Sequence, residues 1–296
     1  MSPVVGFQEL AVGVRQKARL LDWGARVLYL GPAFGLTPHR NATGVLAVAL
    51  DGAIGVADNP RAHTPRYREA RSVLILPNSL HHLRIECDRM AFLYVDPFGH
   101  DLAALRKRMT ELGSCAAFDL IDERLAIELL VNIADRRLKT EESRQKIGEL
   151  LGIGSVAGTD ARILDAVRRM RDEPCEPHAL AELCKRAGLS SSRFLHLFKE
   201  VTGVPLRRYR IWNRIGAAAQ AVAQGESLTD AAHYAGFSSS AHFSSAFRDM
   251  FGMMPSELFA RLRATHGGRQ AEKPTQRAGL SRPRPLPVPP RSRWYR

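Results

Sequence analysis

One pattern occurs twice in the C-terminal half of this chain, and it limits the fold more than any other feature. Leu180-Ala-Glu-Leu-Cys-Lys-Arg-Ala-Gly-Leu-Ser190 returns 48 residues later as Leu228-Thr-Asp-Ala-Ala-His-Tyr-Ala-Gly-Phe-Ser238. The same skeleton follows each copy: Phe194, Leu197, Phe198 and Gly203 answer to Phe243, Ala246, Phe247 and Gly252, now 49 apart. Each copy reads as a helix, a tight turn, and a second helix opened by serines. The turn needs a residue that accepts positive φ, and Gly188 and Gly236 stand there. The pattern predicts helix-turn-helix units at about 180–201 and 228–251. Two units on one chain imply a protein that reads two successive major grooves of double-stranded DNA.

Periodicity sorts the second helix of each unit into two faces. Phe194, Leu197, Phe198 and Val201 point inward in the first, leaving Ser192, Arg193, His196 and Lys199 outward. In the second the outward positions are Ser240, Ala241, Ser244 and Ser245, with His242 and Arg248 beside them. These side chains are short and offer few strong base contacts. The first unit is therefore expected to supply most direct readout, and the second to position the protein and sense DNA shape. Pro205 to Ala223 reads as the helix between them, with Tyr209, Trp212, Ile215 and Ala219 along one face.

Charge adds little to this reading. The formal excess is +13, but the last 34 residues hold nine basic side chains against one acidic, so most of it sits in the tail. That tail, 263–296, is Arg-Pro-rich and is expected to be disordered. Cys87, Cys115, Cys175 and Cys184 show no CxxC pair and no metal-ligand spacing, so they read as core filler in a reduced protein. No signal segment and no apolar run of about 20 residues is present, which points to a cytoplasmic chain without a membrane partner.

Upstream, Arg26–Leu30, Val45–Leu50, Ile54–Ala57, Ser72–Leu76 and Met90–Val95 read as short strands separated by turn residues, which suggests a small antiparallel barrel or jelly roll. From about Leu102 the period turns helical, with Leu102, Leu105 and Met109 on one face. Leu125, Leu129 and Ile133 follow within a second stretch, Asp122–Leu138. Gly148 to Gly158 reads as a linker, and Asp160 as the N-cap of a helix over Ala161–Met170. The expected fold is α+β. A β-rich unit (1–100) precedes a helical dimerisation and linker segment (101–158), and an all-α domain of two helix-turn-helix units (159–262) precedes the tail.

The paired motifs over Asp160–Leu262, closed by Phe247-Arg-Asp-Met-Phe-Gly252 and Pro255, resemble the AraC/XylS family of transcription regulators. By position against that family's pattern, Ser192, Leu195 and His196 would approach base edges, and Arg193 and Lys199 nearby bases or phosphates. The family also implies an activator that recruits RNA polymerase and pairs through helices such as Leu102–Leu138. The other reading of that helical face is packing on its own barrel.

The strand-rich segment resembles the cupin-like sensor domain often attached to this DNA-binding domain. The matching residues are Pro38-His39-Arg-Asn41, Leu50-Asp51-Gly52 and Pro77-Asn-Ser-Leu-His81-His82. His39 and His82 match two metal-ligand positions of cupins, Asn41 replaces a third, and the glutamate is missing. An open catalytic metal site keeps three protein ligands, so no metal, no cofactor and no catalysis are expected. His39, Asn41, His82 and Tyr94 would instead line a pocket for a small-molecule effector. The competing reading leaves His39 and His81 on the surface and Tyr94 in the core. Two rival functions remain open, a cupin enzyme fused to a DNA-binding domain and a regulator controlled by a protein partner.

Overall fold

The computed structural model describes residues 18–23, 26–95, 100–152 and 160–263. The tail beyond 263 and most of the Gly-rich linker (153–159) lie outside them. The N-terminal unit holds β1 (Arg19–Asp22), β2 (Val27–Pro32), β3 (His39–Arg40), β4 (Val45–Ala49), β5 (Ala53–Ala57), β6 (Arg68–Ala70), β7 (Ser72–Ile75), β8 (Leu80–Glu86) and β9 (Arg89–Tyr94). Then come α1 (His100–Lys107), β10 (Met109–Leu112), β11 (Ala116–Leu120), α2 (Glu123–Ala134) and α3 (Thr140–Leu151). The C-terminal helices are α4 (Ala161–Asp172), α5 (Leu180–Ala187), α6 (Ser191–Thr202), α7 (Leu206–Ala223), α8 (Leu228–Tyr234), α9 (Ser240–Phe251) and α10 (Pro255–Arg263).

All strand pairs are antiparallel. One sheet runs β1-β2-β9-β4-β7-β11-β10 and the other β3-β8-β5-β6. The larger sheet is buried on both faces, and alternation along each strand divides its side chains between two cores. Leu46, Val48, Leu93 and Leu28 meet Ile127, Leu130, Ile133 and Ile147 of α2 and α3. Val45, Ala47, Phe92 and Tyr29 face the other way, toward the smaller sheet and the C-terminal helices.

Two expectations change here. The stretch predicted as helical from Leu102 is broken by the β10–β11 hairpin, which turns at Gly113 and adds to the sheet edge beside β7. Ala116, Ala117 and Phe118 are buried in that ladder, so sheet pairing overrode a helical spacing carried by only a few residues. The apolar face of α2 packs on its own sheet: Ile133 is fully buried while Leu125 is exposed. The short strands β1, β3 and β6 and the longer β8 were not expected. β8 reads Leu-His-His-Leu-Arg-Ile-Glu, and its charges hide a buried alternation of His81 and Leu83.

The helical half follows the repeat closely. Gly188 and Gly236 take φ of 63° and 78° at the two turns. Serine caps open both recognition helices: Ser190 accepts from the Arg193 amide and Ser239 from the His242 amide. Each cap satisfies one of the donors that a helix start leaves unpaired. Asp160 caps α4 through the Arg162 amide. The first unit has a core of its own, built on Phe194, Phe198, Tyr209, Ile163 and Met170. The second does not: Phe243, Phe247, Met250 and Phe259 join the core on the inner face of the sheets. The repeat thus has two unequal environments.

Candidate nucleic-acid interface and the cavity behind it

On α6, Ser192, Arg193, His196 and Lys199 are exposed, and Leu195 is 40% exposed although it is apolar. Phe194 and Phe198 are fully buried beneath them. On α9, Ala241, Ser245 and Arg248 are exposed and Ser240 and Ser244 partly so, over buried Phe243 and Phe247. Every DNA-facing position expected from the sequence therefore lies off the core of its unit. His196 sits 3.6 Å from Glu200 one turn on, so a carboxylate tempers the cationic face of α6. On α9 the Ser238 hydroxyl lies 3.0 Å from His242 Nδ1, which holds that ring against the helix start.

The helix α7 connects the units and is tied to both. Arg210 donates to the His178 carbonyl in the α4–α5 loop, and Arg214 donates to the Gly236 carbonyl in the second turn at 3.3 Å. Sequence reasoning had no signal for these ties, since arginines on a link between DNA-reading units look like phosphate contacts.

Behind the reading helices lies a cavity of about 1070 Å³ between the sheets and the C-terminal helices. Tyr29, Phe34, Phe92 and Tyr94 line it from the sheets, and Trp212, Phe247, Phe251 and Phe259 from the helices. Tyr94 stacks within 5.6 Å of both Trp212 and Phe251, so the aromatic wall runs unbroken across the two halves. Burial pushes the Tyr94 phenol up, so it stays neutral. Two amide groups add polarity. Asn41 is 3% exposed and its Oδ1 has no hydrogen-bond partner among the described residues; Asn213 on α7 is half-buried, and its buried Nδ2 has none either. Both residues line the cavity, as do Arg19, Arg136 and Arg171.

Of the expected effector residues, His39, Asn41 and Tyr94 line this cavity and His82 does not. Both nitrogens of His82 are engaged, Nδ1 with the Tyr67 hydroxyl at 2.6 Å and Nε2 with the Leu36 carbonyl at 2.8 Å. His39 and His81 are buried rather than on the surface, with ring centroids 4.3 Å apart. Burial pulls the His39 imidazole down to about 4, opposed by its bond to the Thr37 carbonyl and aided by the His82 and Arg208 charges. Burial and then the His39 charge pull His81 down to about 3. Among the described residues no group of three or more His, Cys, Asp or Glu could hold a metal ion. No described helix is long and apolar enough to cross a membrane.

Comparison with known proteins agrees with this geometry. A helix-turn-helix domain family matches residues 183–261. The HTH-type transcriptional regulator ArgR of Pseudomonas aeruginosa is 28% identical over 51% of this chain and 48% of its own length. An AraC-like transcription regulator of Streptomyces lividans is 31% identical over 48% of this chain and 45% of its own. The match thus spans less than half the length of either relative. Among solved structures, ToxT from Vibrio cholerae O395 shares the fold at a TM-score of 0.52, with 15% identity over 80% of this chain and 97% of that one. An unsaturated-fatty-acid-bound ToxT from Vibrio cholerae strain SCE256 has a TM-score of 0.50, also at 15% identity, over 81% of this chain and 95% of that one. Residues 183–261 form a helix-turn-helix domain, and the relatives this chain resembles are HTH-type and AraC-like transcription regulators.

Proposed function

We propose that this protein is a sequence-specific, DNA-binding transcription regulator, an activator, whose DNA reading responds to a small molecule held between its two halves. The observation that carries the reading is the pair of helix-turn-helix units, each with an exposed polar face on a phenylalanine-anchored recognition helix. One subunit would read two non-identical boxes about 34 Å apart along the duplex. We assign Ser192, Leu195 and His196 to base edges in the first box, with Arg193 and Lys199 on bases or phosphates. Ser240, Ala241, Ser244, Ser245 and Arg248 face the second.

The cavity supports the sensing half of the proposal. A ligand with an apolar body would fill its aromatic wall, and a polar group on it would satisfy the buried Asn41 and Asn213 amides. The arginines Arg19, Arg136 and Arg171 favour an anionic end. The ToxT structure bound to an unsaturated fatty acid has the same overall fold and is consistent with a ligand of that kind. Because α7, α9 and α10 line the cavity together with the sheets, a ligand there touches the helices that place the DNA-reading faces. It acts by its differential affinity for two arrangements of those halves. RNA polymerase is the partner an activator requires. We assign homodimerisation to the 101–158 segment, whose exposed Leu112, Ile121 and Leu125 are free of the sheet core, and the cytoplasm as the site of action.

A scan of every base change across the operator tests the reading. Arg193 is a fork-shaped donor suited to guanine, so Arg193→Ala is expected to cost about 1–3 kcal/mol of discrimination at one position of the first box. Changes in the first box should weaken binding more than changes in the second. Equal discrimination in both boxes would remove the assignment of roles. A ligand that fills the cavity yet leaves DNA affinity, DNA geometry and transcription unchanged would remove the sensing half.

A further inference from the structure

Two loops of the β-unit reach past the cavity and touch both DNA-reading units at repeat-equivalent points. At the second unit, the Thr37 amide and hydroxyl both donate to the Gly252 carbonyl, at 2.8 and 3.0 Å. Gly252 is the C-cap of α9, with φ of 72°. The fit leaves no room: a Cβ there would lie 2.5 Å from His39 Nδ1 and 2.6 Å from the Thr37 carbonyl. At the first unit, Pro77 packs at Gly203, the C-cap of α6, whose φ is 74°. There a Cβ would meet Pro77 at 3.5 Å, an ordinary contact.

The two loops are hydrogen-bonded to each other. The Asn78 amide donates to the Asn41 carbonyl at 2.8 Å, and Arg40 donates to the Asn78 carbonyl at 2.7 Å. A third point lies between the units, where Arg208 of α7 donates to the Arg40 carbonyl and pairs with Asp249 of α9 at 2.9 Å. The contacts therefore fall on the end of α6, the start of α7 and the end of α9. They add to α7 and to the core that α9 shares with the sheets in setting one recognition helix against the other.

We propose that Thr37, His39, Arg40 and Pro77 are positioning residues for DNA reading, holding the C-caps of both recognition helices and so fixing the interval between the two DNA boxes. The proposal rests on the DNA-reading function proposed above. It predicts that the β-unit controls which box interval is accepted, separately from which bases are read.

A matched pair of substitutions in the full chain tests it. Gly203→Ala and Gly252→Ala impose the same left-handed backbone strain on equivalent caps. Only Gly252→Ala also drives a Cβ into the β-unit. Binding is measured on duplexes carrying both boxes, with the interval native or changed by a base pair or two. Wild type and Gly203→Ala are expected to disfavour the altered interval by about tenfold, and Gly252→Ala by only about twofold, a difference of about 1 kcal/mol. Arg208→Ala removes the third point without backbone strain and should relax the interval in the same direction, which keeps the test decisive if Gly252→Ala does not fold. Equal interval preference in wild type and Gly252→Ala, equal relaxation in Gly203→Ala and Gly252→Ala, or a wild-type preference in Arg208→Ala would overturn the proposal. Failure of the wild type to bind any duplex with the boxes would instead count against the DNA-reading function itself.

Discussion

Phe198→Ala is expected to destabilise the first helix-turn-helix unit by about 3–5 kcal/mol. The ring is fully buried, 6.1 Å from Phe194 and 5.7 Å from Tyr209, in a core that the first unit does not share with the sheets. The loss should therefore stay local. Footprinting is expected to show the first box unprotected and the second still covered. The repeat-equivalent Phe247→Ala should behave differently, because Phe247 lies in the core shared with the sheets and lines the cavity. It should loosen the second unit and weaken ligand binding together. If Phe198→Ala instead opened both boxes equally, the two units would share one core and the unequal environments described above would be wrong.

The second large effect concerns pH. His39 and His81 are buried and neutral, with imidazoles pulled down to about 4 and about 3 from the ordinary 6.5. The unfolded chain therefore binds more protons than the folded one below about 6.5, and stability falls as pH falls. The contribution of the neutral rings is complete above about 6.5 and is lost on the way down to about 4 for His39 and about 3 for His81. Between pH 7 and 5 the two rings together should cost about 3–4 kcal/mol. Carboxylates such as Asp160, held down to about 2 by Arg162, act in a lower window and do not blur this one. Urea unfolding at several pH values reads the effect as a slope approaching two protons. His39→Asn should lower the slope by one, since an asparagine amide can donate where Nδ1 does but does not titrate. A flat profile from 7 to 5 would mean that the rings are not buried neutral.

How much of this was readable beforehand divides along the chain. The helical half was legible because its signal is local and doubled. Glycines at the turns, serines at the caps and a 3.6-residue apolar stripe each predict one feature, and the second copy checks the first. All ten expected DNA-facing residues lie off the unit cores. The β-unit was only half legible. Its buried central strands carried Val, Ile and Leu runs and were expected, whereas β8 and the β10–β11 hairpin take their structure from neighbours across the sheet. The histidines of Pro38-His39-Arg-Asn41 and of Leu80-His-His82 were visible as a cluster, but whether each faced a cavity, a core or a carbonyl depends on pairing between β3 and β8. The contact between these loops and the repeat-equivalent caps joins residues some 126 to 215 positions apart. No periodicity in a single chain reports such a contact.

One subunit is expected to read two boxes with two unequal units. Selection of bound duplexes from a random pool, at a stated salt concentration because phosphate contacts make affinity salt-dependent, tests it most directly. Two short, non-identical boxes about one helical turn apart are expected, with sharper base preferences in the box read by α6. Recovery of a single box, or of no enriched sequence, would contradict it.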